Sequence, residues 1–325
     1  MTRWLRPLLS LFGRLLLAAS LALAHPLAQP AAPSVVPSAP QVVVLSSEPS
    51  LPYQEAANAV LQALVRSGHS PQSVALVGLD AWPGSAGASP QVLIALGSAA
   101  CERVVAVVSQ ASVLCALIPQ ESFERLLQRY QRKASPALTA LVLNQPLWRQ
   151  LDLIRLALPA ARRVGVLWGP QSLPQAGALR DVARNQGLAL REASVTSDAP
   201  LAGSLRPVLA SADVLLAIAE PLVYNTITVD SILQSALRER VPVVSFSPAF
   251  SRAGALLALY ASPAQVGSQA AALARQVLQG RALPAAPVAP AEFSIDVNQP
   301  VARALGLALD ANDLLTRLRL REGLP

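Results

Sequence analysis

A chain of 325 residues exceeds a single modest core and suits two lobes. Hydrophobic residues make up 53% of it but aromatics only 4%, so the interior is expected to pack from small and medium aliphatic side chains. The 26 Lys+Arg against 19 Asp+Glu are a mild excess. The densest basic stretches, 125–133 and 317–321, are not interleaved with aromatics, which argues for solvated helix faces and against a nucleic-acid partner.

Arg3 and Arg6 open the chain. An apolar stretch over 8–23 follows, interrupted only by Arg14, and Ala22-Leu23-Ala24 supplies the small-x-small pattern of a signal-peptidase site. We expect a signal peptide over 1–24, cleaved after Ala24, and a periplasmic location. A retained anchor helix is the rival reading, but Arg14 leaves only 15–24 unbroken, too short to span a bilayer. The first cysteine is Cys101, so no lipid anchor is expected near the cleavage point. Without Arg3, Arg6 and Arg14 the chain keeps 23 basic and 19 acidic residues, a net charge of +4. Residues 25–40, rich in Pro and Ala, read as a flexible linker. No later segment offers 18 unbroken apolar residues, so a soluble processed protein is expected.

From residue 41 the chain alternates. Short apolar runs enriched in Val and Ile predict buried strands at 42–45, 74–77, 92–96, 113–118, 138–143, 164–167, 214–217 and 241–246. Helical spacing predicts helices at 53–66, 121–132, 146–158, 173–186, 228–240 and 263–278, several followed by a stopping glycine such as Gly68, Gly187 or Gly280. The alternation predicts an α/β fold of two Rossmann-like, doubly wound lobes with parallel sheets. Residues 41–137 and 163–247 carry about four strand–helix steps each. No sequence repeat between them is visible at this level. Ligands of such sheets sit beyond the carboxyl ends of the strands, and two facing lobes make one cleft.

Cys101 and Cys115 are the only cysteines. An oxidising compartment permits a disulfide, although a strand interior is an awkward place for a bridge; the alternative is two buried small hydrophobic side chains.

No catalytic constellation appears. His69 lies in a Ser-Gly-His-Ser-Pro turn and reads as a solvated loop residue. His25 would become the new N-terminus, where a flexible tail and Pro26 offer no rigid metal site. There is no nucleophile elbow, zinc-protease helix, phosphate-binding loop or dinucleotide fingerprint, and the shortage of histidine removes the commonest general base. We therefore expect no enzyme activity, no cofactor and no metal. The strand ends carry small polar residues instead: Ser46-Ser47-Glu48, Gly97-Ser98, Asn144-Gln145, Gly169-Pro170-Gln171-Ser172, Glu220, Tyr224-Asn225-Thr226, and Ser245, Ser247, Phe250 and Ser251. Backbone N–H groups and hydroxyls there suit a carboxylate or other polar ligand; ordinary helix caps and turns are the alternative.

Two blocks carry a family resemblance. LVLNQPLWRQLDLIRLALPAARRVGVLWGPQS (141–172) and ADVLLAIAEPLVYNTITVDSILQSALRERVPVVSFSPAFSRAGALLALYASPAQVGSQAA (212–272) resemble the bacterial ABC-transporter substrate-binding proteins related to tryptophan- and tyrosine-binding members. The resemblance implies a type I periplasmic-binding architecture with interlobe crossings near Leu143, Tyr260 and Leu283. One lobe would comprise 41–143 plus 260–283, the other 144–259 plus 284–325. It implies ligand-facing roles for Ser47, Ser98, Asn144, Gln171, Ser172, Tyr224, Asn225, Ser247 and Phe250. An amino-acid ligand would also need a carboxylate for its ammonium, and Glu220 is the acid nominated.

The expected function is capture of a small polar ligand, of amino-acid or related type, by a monomeric carrier that presents it to the membrane permease of an ABC uptake transporter. The alternative is a periplasmic sensor or adaptor of the same fold that signals to a membrane receptor.

Overall fold

The computed structural model describes residues 40–82, 84, 90–107, 110–197 and 201–323. The predicted signal peptide, its cleavage site, His25 and the linker up to residue 39 lie outside the described residues.

The first sheet contains β1 (Val42–Ser46), β2 (Val74–Gly78), β3 (Val92–Leu96), β4 (Ser112–Ile118) and β5 (Leu138–Val142). All its pairings are parallel, in the order β2-β1-β3-β4-β5. Side chains of a strand alternate between faces, and here both faces are covered. Val42 and Val44 enter the core under α1 (Leu51–Arg66), whereas Val43 and Leu45 enter the core under α2 (Ser98–Val105) and α3 (Gln120–Arg129). This double burial is why the runs are apolar at every position.

After α4 (Leu147–Ala157), the second sheet is laid down as β6 (Arg163–Trp168), α5 (Ala176–Asn185), β7 (Ala189–Ser194), α6 (Leu201–Ser211), β8 (Val214–Leu216), α7 (Val229–Arg238), β9 (Val243–Ser245), α8 (Pro248–Ala253) and β10 (Leu257–Tyr260). Then α9 (Pro263–Leu278) returns to pack along α1. Val288 follows, bonded to the backbone of Ala140 and Val142 at the edge of β5. Finally β11 (Ser294–Val297), α10 (Gln299–Ala304) and α11 (Ala311–Arg321) rejoin the second sheet, whose order is β11-β10-β9-β8-β6-β7. Only the β10–β11 pairing is antiparallel among the described strands.

The doubly wound α/β reading is borne out. Reading outward from β7 in the second sheet and from β2 in the first, the two strand orders coincide. The alignment exposes what the linear reading did not find. At equivalent places Val42-x-Val44-Leu45 and Val164-x-Val166-Leu167 enter β1 and β6, and Ser50-Leu51-Pro52 and Ser172-Leu173-Pro174 open the following helical turns. Elements that escaped prediction have local reasons. β7 is an edge strand with Arg191 and Glu192 at its centre and no buried residue, and α6 contains Gly203 and Pro207, both poor helix residues.

The α1–α9 contact is close because it is built from small side chains. A Cβ on Gly267 would collide with the backbone carbonyl of Ala56. Ala56, Ala270, Ala271 and Ala274 are all buried beside it.

Cys101 and Cys115 form a disulfide, with Cα atoms 5.4 Å apart. A strand interior is no obstacle here, because α2 lies directly over β4 and brings the two Cα atoms within ordinary bridging range.

Arg149, on α4, is the most constrained charged residue of the second lobe. Its Nε and Nη2 donate to the two carboxylate oxygens of Glu322 at 2.6 and 2.7 Å. Its Nη1 donates to Gln145 Oε1 at 2.9 Å and to Pro290 O at 2.8 Å. The guanidinium lies 4.2 Å from the Phe293 ring centroid, and both side chains of the ion pair are about 95% buried.

Two stability predictions follow from these contacts. Arg149→Met strands the buried Glu322 carboxylate and is expected to cost about 3–5 kcal/mol in urea unfolding, while Arg149→Met/Glu322→Leu recovers most of that loss. Cys101→Ala/Cys115→Ala is expected to lower stability by about 3 kcal/mol, as for a loop of roughly 15 residues, and added reductant should no longer change its midpoint.

Candidate functional site

The carboxyl ends of both sheets converge where the chain passes from β5 to α4. Two adjoining cavities lie there, of about 380 Å³ and about 670 Å³, and they share a wall formed by Asn144, Gln145 and Gln175. The smaller cavity draws Pro119 from the end of β4, Ile218 and Phe246 from the ends of β8 and β9, and Tyr260 from the end of β10. Its walls are predominantly apolar, and its polar groups are amides and hydroxyls. The larger adds Glu121, Glu124 and Arg125 from α3.

The shared wall also joins the lobes. Asn144 Oδ1 accepts from the Gln120 N–H at 2.8 Å, and its Nδ2 donates to Glu121 Oε1 at 2.8 Å. From the second lobe, Gln175 Nε2 donates to the same oxygen at 2.6 Å. Beside it, Arg125 Nη1 donates to Gln171 Oε1 at 2.6 Å. Burial pushes the Glu121 carboxyl above the usual carboxylate range, against the lowering effect of the Asn144 hydrogen bond. Its hydrogen bond from Gln175 links the two lobes beside the shared wall.

The residues carried over from sequence fall into three groups. Asn144 and Ser247 line the smaller cavity; Asn144 and Gln171 line the larger. Ser98 opens α2 and lines a separate recess of about 460 Å³ with Glu102, Arg125 and Arg129. Ser47 sits at the β1/β3 switch point, where its hydroxyl donates to Leu96 O at 2.8 Å and accepts from Ala100 N at 2.9 Å. Gly97 beside it has φ +90°, and a Cβ there would strike Ser47 Oγ and Tyr53 Oη. This packing ties Ser47 to the loop.

The others are engaged within the second lobe. Glu220 is 1% exposed, and Oε2 accepts from the N–H groups of Gln171 and Ser172 and from Ser172 Oγ, each at 2.9 Å. Oε1 accepts from the Leu222 N–H at 3.2 Å. The carboxylate therefore binds one loop to another and does not line either cavity, and Ser172 is buried in the same knot. Asn225 caps its own turn, accepting from the N–H groups of Ile227 and Thr228. Tyr224 packs edge-on against Phe246 and Phe250 with centroids 6.3 Å away, and its buried phenol is pushed well above the ordinary value. Of this trio only Phe246 reaches the smaller cavity.

Gln145, Gln150, Gln175, Glu121, Phe246 and Tyr260 were not nominated from sequence. Gln145 stood directly beside Asn144 in a loop already recognised as a strand end. What sequence lacked was the fixed partner: Arg149, one helical turn on, holds Gln145 Oε1.

Comparison with known proteins agrees with this geometry. The family described as ABC transporter substrate binding protein matches residues 86–316. No curated protein matches. A conserved domain protein from Vibrio cholerae shares 18% identity, covering 86% of this chain and 98% of its own, with a TM-score of 0.56. The ligand-free, open structure of a substrate-binding protein with adhesive properties from Clostridium difficile shares 14%, covering 84% and 97%, with a TM-score of 0.66. The ABC domain in complex with L-Trp from Streptococcus pneumonia shares 15%, covering 85% and 98%, with a TM-score of 0.57. At these identities the structural likeness concerns the fold. With its two equivalent lobes and the family match over residues 86–316, the chain belongs to the ABC transporter substrate-binding protein family and has the type I periplasmic-binding fold.

Proposed function

We propose that this protein captures a small ligand in the cavity of about 380 Å³ and presents it, in the periplasm, to the membrane permease of an ABC uptake transporter. The observation that carries the reading is the position of the cavity. Its wall takes residues from strand ends of both sheets and from two segments, at Asn144 and at Tyr260–Pro263, where the chain leaves one lobe for the other. A ligand held there touches both lobes at their connections, so binding energy is available to favour a closed arrangement that a permease can distinguish from an open one. The solved L-Trp complex adds support for a small-molecule ligand. No helix of the described residues is long and apolar enough to cross a membrane, which suits a carrier that works beside one. The protein acts as a monomer in this reading and performs no chemistry on its ligand.

The test is a thermal-shift screen of the purified protein with amino acids, small carboxylates, sugars and purines. A ligand at 100 times its Kd stabilises by about 2.7 kcal/mol, which in a chain of this size raises the midpoint by several degrees. A selective rise that Ser247→Ala or Asn144→Ala reduces is the expected result. A flat response across the panel overturns the capture reading in favour of a sensor or adaptor.

A further inference from the structure

Among the described residues, the walls of the smaller cavity hold no Lys, Arg, Asp, Glu or His. Its polar atoms belong to the amides of Asn144, Gln145, Gln150 and Gln175 and the hydroxyls of Ser247 and Tyr260. The rest is apolar, with Ile218, Phe246 and Leu259 prominent. Burial, with the charge of Asp296, pushes the Tyr260 phenol up, against the lowering effect of Arg252.

Of the charges around it, Asp296 and Arg252 act on Tyr260 from outside the lining, and three more are committed elsewhere. Glu121 belongs to the adjoining cavity, and its Oε1 accepts from two amides of the shared wall. Arg125 is occupied by Gln171 and Ser122. The Glu220 carboxylate accepts four hydrogen bonds inside the second lobe. An ammonium or carboxylate drawn into the smaller cavity would lose its water and meet no counter-charge, a severe penalty for an ion. A carbonyl, ring nitrogen or hydroxyl meets amides at no such penalty.

Gln145 makes the requirement more specific. It is 6% exposed, and Arg149 donates to its Oε1, so the amide is fixed with Nε2 as the donor end. That Nε2 has no partner among the described residues. A buried donor left unpaired is costly, and since Nε2 has no surface open to the cavity, a ligand acceptor meets it only when the wall shifts around the ligand.

We infer that this cavity takes an uncharged ligand with a hydrogen-bond acceptor for Gln145 Nε2 and an apolar or planar face for Phe246: a neutral heterocycle or cyclic amide in preference to a zwitterionic amino acid. The inference rests on the cavity being the capture site. It gives the shared amide wall its purpose, since amides discriminate hydrogen-bonding patterns without favouring either charge.

Calorimetric titration of the purified protein with matched pairs tests it: nicotinamide against nicotinate, uracil against orotate, and indole against L-tryptophan. The expected result is that at least one neutral member binds about tenfold or more tightly than every charged one. Gln145→Leu is expected to weaken that binding by about tenfold. Gln145→Glu keeps an acceptor for Arg149, so the fold is retained, and it too should lose the neutral ligand; unchanged affinity in this folded variant overturns the role of Nε2. A charged member binding more tightly than all neutral ones overturns the inference and leaves the capture reading standing. Binding by neither class removes both.

Discussion

The guanidinium of Arg149 is buried against one carboxylate, that of Glu322, and Gln145, Pro290 and Phe293 complete its surroundings. A buried ion pair contributes little net stability, but breaking it is expensive, so its geometry is held firmly. Here the four hydrogen bonds of one side chain tie its own helix entry to two distant parts of the chain. Gln145 lies in the first passage between lobes, Pro290 in the last, and Glu322 just past α11. The interaction therefore anchors the segment that passes between the sheets, while the contacts beside it, Glu121 with Gln175 and Arg125 with Gln171, are single hydrogen bonds between partly exposed groups. Firm connections and weak cross-contacts are what a pair of lobes needs if a ligand is to alter their separation.

The sequence was most informative where burial is symmetric. Runs such as 92–96 are apolar at every position because helices lie on both faces of β3, and that double demand leaves a pattern no single face could. It was silent where a side chain's role depends on which of several partners it finds. Glu220 follows a strand and was nominated for a ligand's ammonium, whereas Glu121, in the first turn of α3, was not nominated at all. In the fold, Glu220 is consumed by backbone N–H groups of a neighbouring loop, and Glu121 bridges to the other lobe. Cys101 and Cys115 pose the same problem, since only the placement of α2 over β4 decides between a bridge and two thiols. The internal repeat at Val42–Pro52 and Val164–Pro174 went unseen because few of its positions are shared, and they become meaningful only once β1 and β6 are recognised as equivalent strands.

That equivalence also clarifies the site. In each lobe the first strand of the sheet runs into a loop at the switch point, yet the two loops are used differently. In the first lobe the loop is closed by Ser47 on Gly97 and Ala100, which makes it a rigid support. In the second, the corresponding loop is knotted onto Glu220, leaving the side chain of Gln171 free to reach Arg125 across the gap. One geometry thus closes on its own lobe in the first case and reaches across to Arg125 in the second.

The close seating of Gly267 on the carbonyl of Ala56 has a bearing on how the molecule is made. α1 is among the first elements synthesised and α9 among the last, and Val288 completes the edge of a sheet begun at Val42. The first lobe therefore has no finished core until Val288 has left the ribosome, and the second waits for β11 and α11. Neither lobe can complete itself as an amino-terminal fragment, and contacts so distant along the chain slow the final assembly.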